Sequence, residues 1–203
     1  MAAQYGHLAL PGGYSLGNLK LSYTVPLGET KNYSLRMRLP VARNQVLGNS
    51  GFGLGDASVQ LTHVFGVTRE HGFVAQGELL AEPAGRPELG TGKTVLKATF
   101  IYALVMQDGS IFAPAAVQSN SLGGDSPRAK VNLTTFDFYC VPQLADPKTF
   151  ITVDPALTAN WETRKQLASL AVTVGRATGP AFGGNGQVFV KPSVFAGADR
   201  AAK

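Results

Sequence analysis

In the stretch NYSLRMRLPV, Tyr33, Leu35, Met37, Leu39 and Val41 alternate with Ser34, Arg36, Arg38 and Pro40. Apolar residues that advance two at a time line one side of a strand but spread around a helix. The run therefore predicts a β-strand with one apolar and one polar face. NLKLSYTV repeats the pattern, with Leu19, Leu21, Tyr23 and Val25 opposite Asn18, Lys20, Ser22 and Thr24. PLGETK supplies turn residues between the two runs, which read as a hairpin.

DASVQLTHVF sets Ala57, Val59, Leu61 and Phe65 against Asp56, Ser58, Gln60 and Thr62, with His63 on the apolar side. GFVAQGELLAE opposes Phe73, Ala75, Leu79 and Ala81 to Gln76, Glu78 and Glu82, and Val74 and Leu80 break the alternation. Less regular candidates occur in TVLKATFIYALVM, SIFAPAAVQS, AKVNLTTFDFYCV, TFITVD, LASLAVTVG and GQVFVKPSVF. The pattern predicts about ten strands of roughly 6–13 residues, separated by Gly, Pro, Asn and Asp turns. One patch, ALTANWETRKQLASLA, has some helical character and reads as a turn plus a strand. The fold class is all-β, as a sandwich or an up-and-down barrel.

Composition narrows the choice. The 203 residues are read as one domain, 1–203, with charged residues at only 15%, against about 25% in typical soluble domains. In a soluble sandwich the outer faces carry many Lys and Glu; here the second face is mostly Ser, Thr, Gln, Asn, Ala and Gly. Transmembrane barrels invert the arrangement, with apolar residues toward lipid and small polar or charged residues toward a wet interior. A mean hydropathy close to zero fits that inversion. The first four segments are long enough to cross a bilayer, which takes about 9–11 tilted residues.

The net charge of +5 comes without a basic run, so an anionic surface or solute is favoured as partner and nucleic acid is not. Cys140 is the single cysteine, which excludes an intrachain disulfide and a cysteine-rich zinc site. Its expected role is a small buried or lipid-facing side chain. No run of about 18 apolar residues predicts a transmembrane helix. MAAQYGHLALPGG lacks the basic and apolar regions of a signal peptide, so an exported protein would have had its leader removed.

Several segments carry a family resemblance: LGDASVQLTHVF, LAEPAGRPELGTGKTVLKATFIYAL, VNLTTFDFYCVPQL, ITVDPALTANWET, and VTVGRATG together with GQVFVKPSVF. From about Gly53 to Phe195 they resemble the bacterial outer-membrane barrels labelled the meta-pathway phenol-degradation family. The resemblance implies an exported antiparallel up-and-down transmembrane β-barrel of about 10–12 strands that passes hydrophobic or aromatic compounds. Two departures shape the expectation. The chain has one tryptophan, Trp161, and a threonine, Thr94, where the family often has another, so thin aromatic girdles are expected. It stops at AGADRAAK, without the family's aromatic-terminated closing strand, so a terminal strand is expected to be missing.

The catalytic motifs dissolve on inspection. Gly90-Thr91-Gly92-Lys93-Thr94 resembles the end of a P-loop, but the position that needs the loop's first glycine holds Pro87, which has no N–H to offer phosphate. The residues after Thr94 are rich in β-branched and aromatic types and predict a strand. GNSGFGLGD lacks dinucleotide-loop spacing and reads as a flexible loop or bulge. His7, His63 and His71 have no metal-ligand spacing. Asp154 and Glu162 could pair as acid and base, but read as a turn and a solvated rim. No catalytic, cofactor or metal site is predicted, and the chain reads as non-enzymatic.

Lys20, Arg36 and Arg38 share the polar face of adjacent strands, and Asp56, Gln60, Glu78 and Glu82 share that of the next two. In a barrel they line the lumen, and a positive interior biases a pore toward anions. The leading reading is thus an outer-membrane porin-like channel for small hydrophobic or anionic solutes, or a structural membrane component. Its expected partners are membrane lipid and lipopolysaccharide, a small solute, and other subunits of an oligomer or larger membrane assembly. The alternative is a soluble barrel or sandwich that binds an apolar ligand or a partner protein.

Overall fold

A computed structural model describes residues 2–9, 15–46, 49–81, 89–90, 92–124, 127–181 and 184–197. Its strands are β1 (Ala2–Ala9), β2 (Ser15–Leu27), β3 (Tyr33–Val46), β4 (Asn49–Leu54), β5 (Ser58–Phe65), β6 (His71–Leu80) and β7 (Lys93–Val105). They continue as β8 (Ile111–Gly124), β9 (Asn132–Val141), β10 (Thr149–Asn160), β11 (Lys165–Ala181), β12 (Gly184–Val190) and β13 (Ser193–Gly197). The described residues contain no helix. The ALTANWETRKQLASLA patch ends β10, turns at residues 161–164 and enters β11, as its residues predict.

All strands belong to one antiparallel sheet in the order β1-β2-β3-β5-β6-β7-β8-β9-β10-β11-β12. β4 pairs with the end of β3 beyond the part that β5 covers, so β4 and β5 form one interrupted strand. β12 and β13 likewise divide the outer side of β11, with the break at Lys191 and Pro192, where proline removes a ladder donor. The GNSGFGLGD segment corrects an expectation. Asn49–Leu54 is a strand, held in register from Val41↔Leu54 to Val46↔Asn49, because pairing with β3 outweighs the low strand propensity of its glycines. Neither β1 nor β4 was distinct in the pattern.

Turns obey local chemistry. At the β7–β8 turn Gly109 takes φ 83°, a value glycine adopts without steric cost, and the Asp108 carboxylate accepts the Ser110 backbone N–H at 2.9 Å. Gly92, at φ 67°, releases the chain into β7, whose first residue is Lys93. The glycine turn ahead of a strand is as read from GKT; Pro87 and Thr91 lie outside the described residues.

Neighbouring strands keep a common alternation, so residues of one face stay together from strand to strand. On one face Gln60 is 5% exposed and Glu78 8%, and Ser58, Ser119, Asp154, Val95, Ala115 and Ala156 on the same face are buried too. On the other, Leu61 is 47% exposed, Leu79 43% and Leu157 57%. A fully buried leucine contributes about 1.5–3 kcal/mol, and this arrangement forgoes much of that gain in water. The sheet buries its polar face and presents its apolar one.

It curls around the polar face. Residues of β1 (Gln4), β3 (Arg36), β9 (Tyr139) and β12 (Gln187) border one cavity of about 1200 Å³. Among the described residues no pairing joins β1 to β12 or β13, so the sheet is an open, curled meander of eleven strand positions.

Candidate functional site

The concave face brings together the residues singled out from the sequence. Register sets Thr24 opposite Arg36, Arg36 opposite Gln60, Gln60 opposite Glu78 and Glu78 opposite Lys97. One rung thus crosses β2, β3, β5, β6 and β7. In the next rung Ser22 faces Arg38, and Arg38 faces Ser58.

The side chains join these rungs. Arg38 Nη1 lies 2.5 Å from Glu78 Oε1, and its Nη2 donates to Gln60 Oε1 at 2.9 Å. Ser58 Oγ donates to the same Glu78 oxygen at 2.6 Å, and Gln60 Nε2 donates to Gln76 Oε1 at 2.9 Å. Arg36 Nε donates to Thr24 Oγ1 at 3.1 Å, and its Nη1 reaches Gln60 Oε1 at 3.5 Å. A buried carboxylate is tolerated only when paired and hydrogen-bonded, and Glu78 has both.

Lys20 is exposed on the concave face and lines the cavity, as does Asp56 from the segment between β4 and β5. All six residues read as lumen-lining therefore share the inner side: five border the cavity, and Gln60 lies in the network beneath. Glu82 lies outside the described residues.

Two inner cations and a second cluster escape the sequence reading. Lys97 and Lys191 join Lys20, Arg36 and Arg38 on the inner side around the cavity, where the carboxylates Asp56 and Glu78 also stand; Arg43 borders it from a position that register gives to the convex face. Lys191 Nζ binds Asp154 Oδ2 at 2.9 Å. Asp137 and Tyr139 share that inner face with Asp154, because Asp137 pairs with Ala156 two residues along β10. Asp154 is therefore no turn residue. Glu162 sits in the 161–164 turn, roughly 20 Å or more away at strand rise, so the two carboxylates form no acid–base pair. Among the described residues no three His, Cys, Asp or Glu side chains cluster to hold a metal.

The convex face is graded. At the rim formed by the 28–32 and 66–70 turns, Tyr33 stacks on His63 at 4.1 Å, His63 on Phe65 at 5.0 Å, and Phe73 on Tyr102 at 5.0 Å. Cys140 is a free, half-buried thiol farther along this face; its backbone partner is Val153. Toward the opposite rim the surface turns polar. Thr134 Oγ1 donates to Gln118 Oε1, and Trp161 Nε1 donates to Thr134 Oγ1 at 2.8 Å. One cluster of stacked aromatic rings stands at the first rim, and Trp161 stands at the other.

Comparison with family models, curated proteins and solved structures finds no match.

Proposed function

We propose that this chain forms an outer-membrane β-barrel wall around a passive, anion-biased pore. The observation that carries the reading is the inversion of the two faces: Gln60 and Glu78 are buried while Leu61 and Leu157 are exposed. Lipid removes the cost of an apolar outer face, and a wet interior accommodates a polar inner one. The aromatic rim and the polar rim bound the apolar belt as interfaces would. Five inner cations, Lys20, Arg36, Arg38, Lys97 and Lys191, against Asp56, Glu78 and the Asp154 carboxylate that Lys191 binds favour small anions over cations. The resemblance to the phenol-degradation barrels points the same way and adds hydrophobic or aromatic compounds as solutes. A soluble carrier of apolar ligands fits less well, since soluble proteins rarely leave large contiguous apolar faces in water and Leu61, Leu79 and Leu157 are exposed on the convex side.

Reconstitution tests both parts. The chain is expected to require detergent or lipid to stay monodisperse, and solubility in plain buffer overturns the membrane reading. In planar bilayers under a KCl gradient, the reversal potential is expected to indicate chloride preference. Arg36→Glu with Lys20→Glu should shift it toward potassium; an unchanged potential rejects the anion bias.

A further inference from the structure

Arg36 and Arg38 occupy alternate residues of β3, about 7 Å apart at strand rise, and both line the cavity. Like charges at that spacing repel, yet one carboxamide holds both: Gln60 Oε1 accepts from Arg38 Nη2 at 2.9 Å and from Arg36 Nη1 at 3.5 Å. Gln60 is itself buried, and its Nε2 donates to Gln76 Oε1. A glutamate of the same shape would cancel one of the two charges. The neutral side chain positions the guanidinium groups and leaves their charge intact.

The charge that remains lies on one arc of the wall. Glu78 neutralises Arg38, while Arg36 meets only the neutral acceptors Thr24 Oγ1 and Gln60 Oε1. Lys20 lies two residues along β2 from Ser22, the residue opposite Arg38, and it also lines the cavity. Neither Arg36 nor Lys20 has a carboxylate partner among the described residues. Asp56 borders the same cavity, so Asp56 and Glu78 stand against Lys20, Arg36, Arg38 and, opposite Glu78 on β7, Lys97. Asp137 and Asp154 belong to β9 and β10, on another part of the sheet. A guanidinium has five N–H donors, of which Arg36 uses two and Arg38 two. The unused donors sit on two planar forks, which suit an anion whose oxygens point in several directions.

We propose that Arg36 and Arg38, with Lys20 beside them, form a saturable station for a doubly charged tetrahedral oxyanion, sulfate or hydrogen phosphate, on the path through the cavity. Two negative charges match the uncompensated Arg36 and Lys20, and four oxygens can engage both forks. Chloride has one charge and no oxygens to align, and a carboxylate has one charge and two oxygens. The inference deepens the anion-biased pore and rests on that reading for its role in transit. The station itself rests only on the side chains.

Isothermal titration calorimetry of the chain in detergent micelles with sodium sulfate tests the station without requiring a pore. The chain is expected to bind one sulfate, to release it to phosphate, and to bind chloride and acetate at least about tenfold more weakly at equal ionic strength. Arg36→Lys keeps the charge and loses the fork, and should weaken sulfate about tenfold. Gln60→Glu keeps the side-chain shape, adds a negative charge, and should weaken it further. Sulfate binding no tighter than chloride, or unchanged in Arg36→Lys, overturns the station, because general attraction to a positive wall then accounts for it. Failure of phosphate to displace sulfate overturns the assignment to charge and tetrahedral shape. The reversal potential is read separately: chloride preference without sulfate binding rejects the station and keeps the pore, and sulfate binding without conductance keeps the station and rejects the pore.

Discussion

Arg38 on β3 reaches across the intervening β5 to Glu78 on β6, 2.5 Å from Nη1 to Oε1. The bond ties strands that share no backbone pairing. The Glu78 side chain is 10% exposed, and that of Arg38 is 29% exposed.

Removing one partner should cost more than removing both. Arg38→Ala leaves Glu78 buried without its cation, and a loss of about 3 kcal/mol is expected, as for a broken buried pair. Arg38→Met combined with Glu78→Leu removes both charges and should recover most of it. Urea unfolding in micelles measures both variants; equal losses would show that Glu78 does not depend on Arg38.

Leu61 lies at the centre of the convex face, on β5. In lipid, Leu61→Arg is expected to destabilise by about 2–4 kcal/mol, whereas a charge on a water-exposed face would change stability by less than about 0.5 kcal/mol. Reversible unfolding from lipid vesicles separates the cases.

Gly175 faces Phe150 across β10 and β11, and a side chain at 175 would overlap the Phe150 ring. The ring covers a glycine that would otherwise weaken the strand. Gly175→Ala is expected to cost about 1–3 kcal/mol through overpacking, and Phe150→Ala in the same chain should relieve most of that. A loss that persists in the double variant would point to the backbone instead.

Asp146, in the β9–β10 turn, gives the fold an acid-sensitive corner. Its carboxylate accepts the Lys148 N–H at 3.0 Å and the Thr149 hydroxyl at 2.9 Å, and Arg176 lies 3.2 Å away. The Lys148 N–H, then the Thr149 hydroxyl, hold the carboxyl below its ordinary value. A depressed folded pKa means the turn's contribution is complete above the unfolded carboxylate value, near 3.9, and is lost as pH falls through the lower folded value. Faster amide exchange at residues 142–149 is expected below about pH 4. Asp146→Asn should remove that pH step; a step that survives belongs to another group.

The fold was legible where alternation is clean. Leu35, Met37 and Leu39 against Arg36 and Arg38 defined β3 and its inner face, and the same logic placed Gln60 and Glu78. It failed for β4, because a strand of Asn, Ser, Gly and Phe has too few side chains to show a period. It also missed Lys97: β7 carries Val95 and Ile101 on the face of Lys97, so both faces look apolar there. Asp154 and Lys191 meet only because β11 pairs β10 on one side and carries β12 and β13, with Lys191 in the break between them, on the other, a long-range arrangement that no local window contains. Strand parity was also hidden, since it depends on β4 and β5 sharing one position.

The position of Trp161 has an experimental use. As the single tryptophan, at the rim opposite the Tyr33–His63–Phe65 row and 59% exposed, it gives an emission spectrum with one origin. On the membrane reading proposed above, reconstitution in bilayers makes it a depth gauge for that rim alone, its colour and quenching reporting any insertion of the wall without an added label.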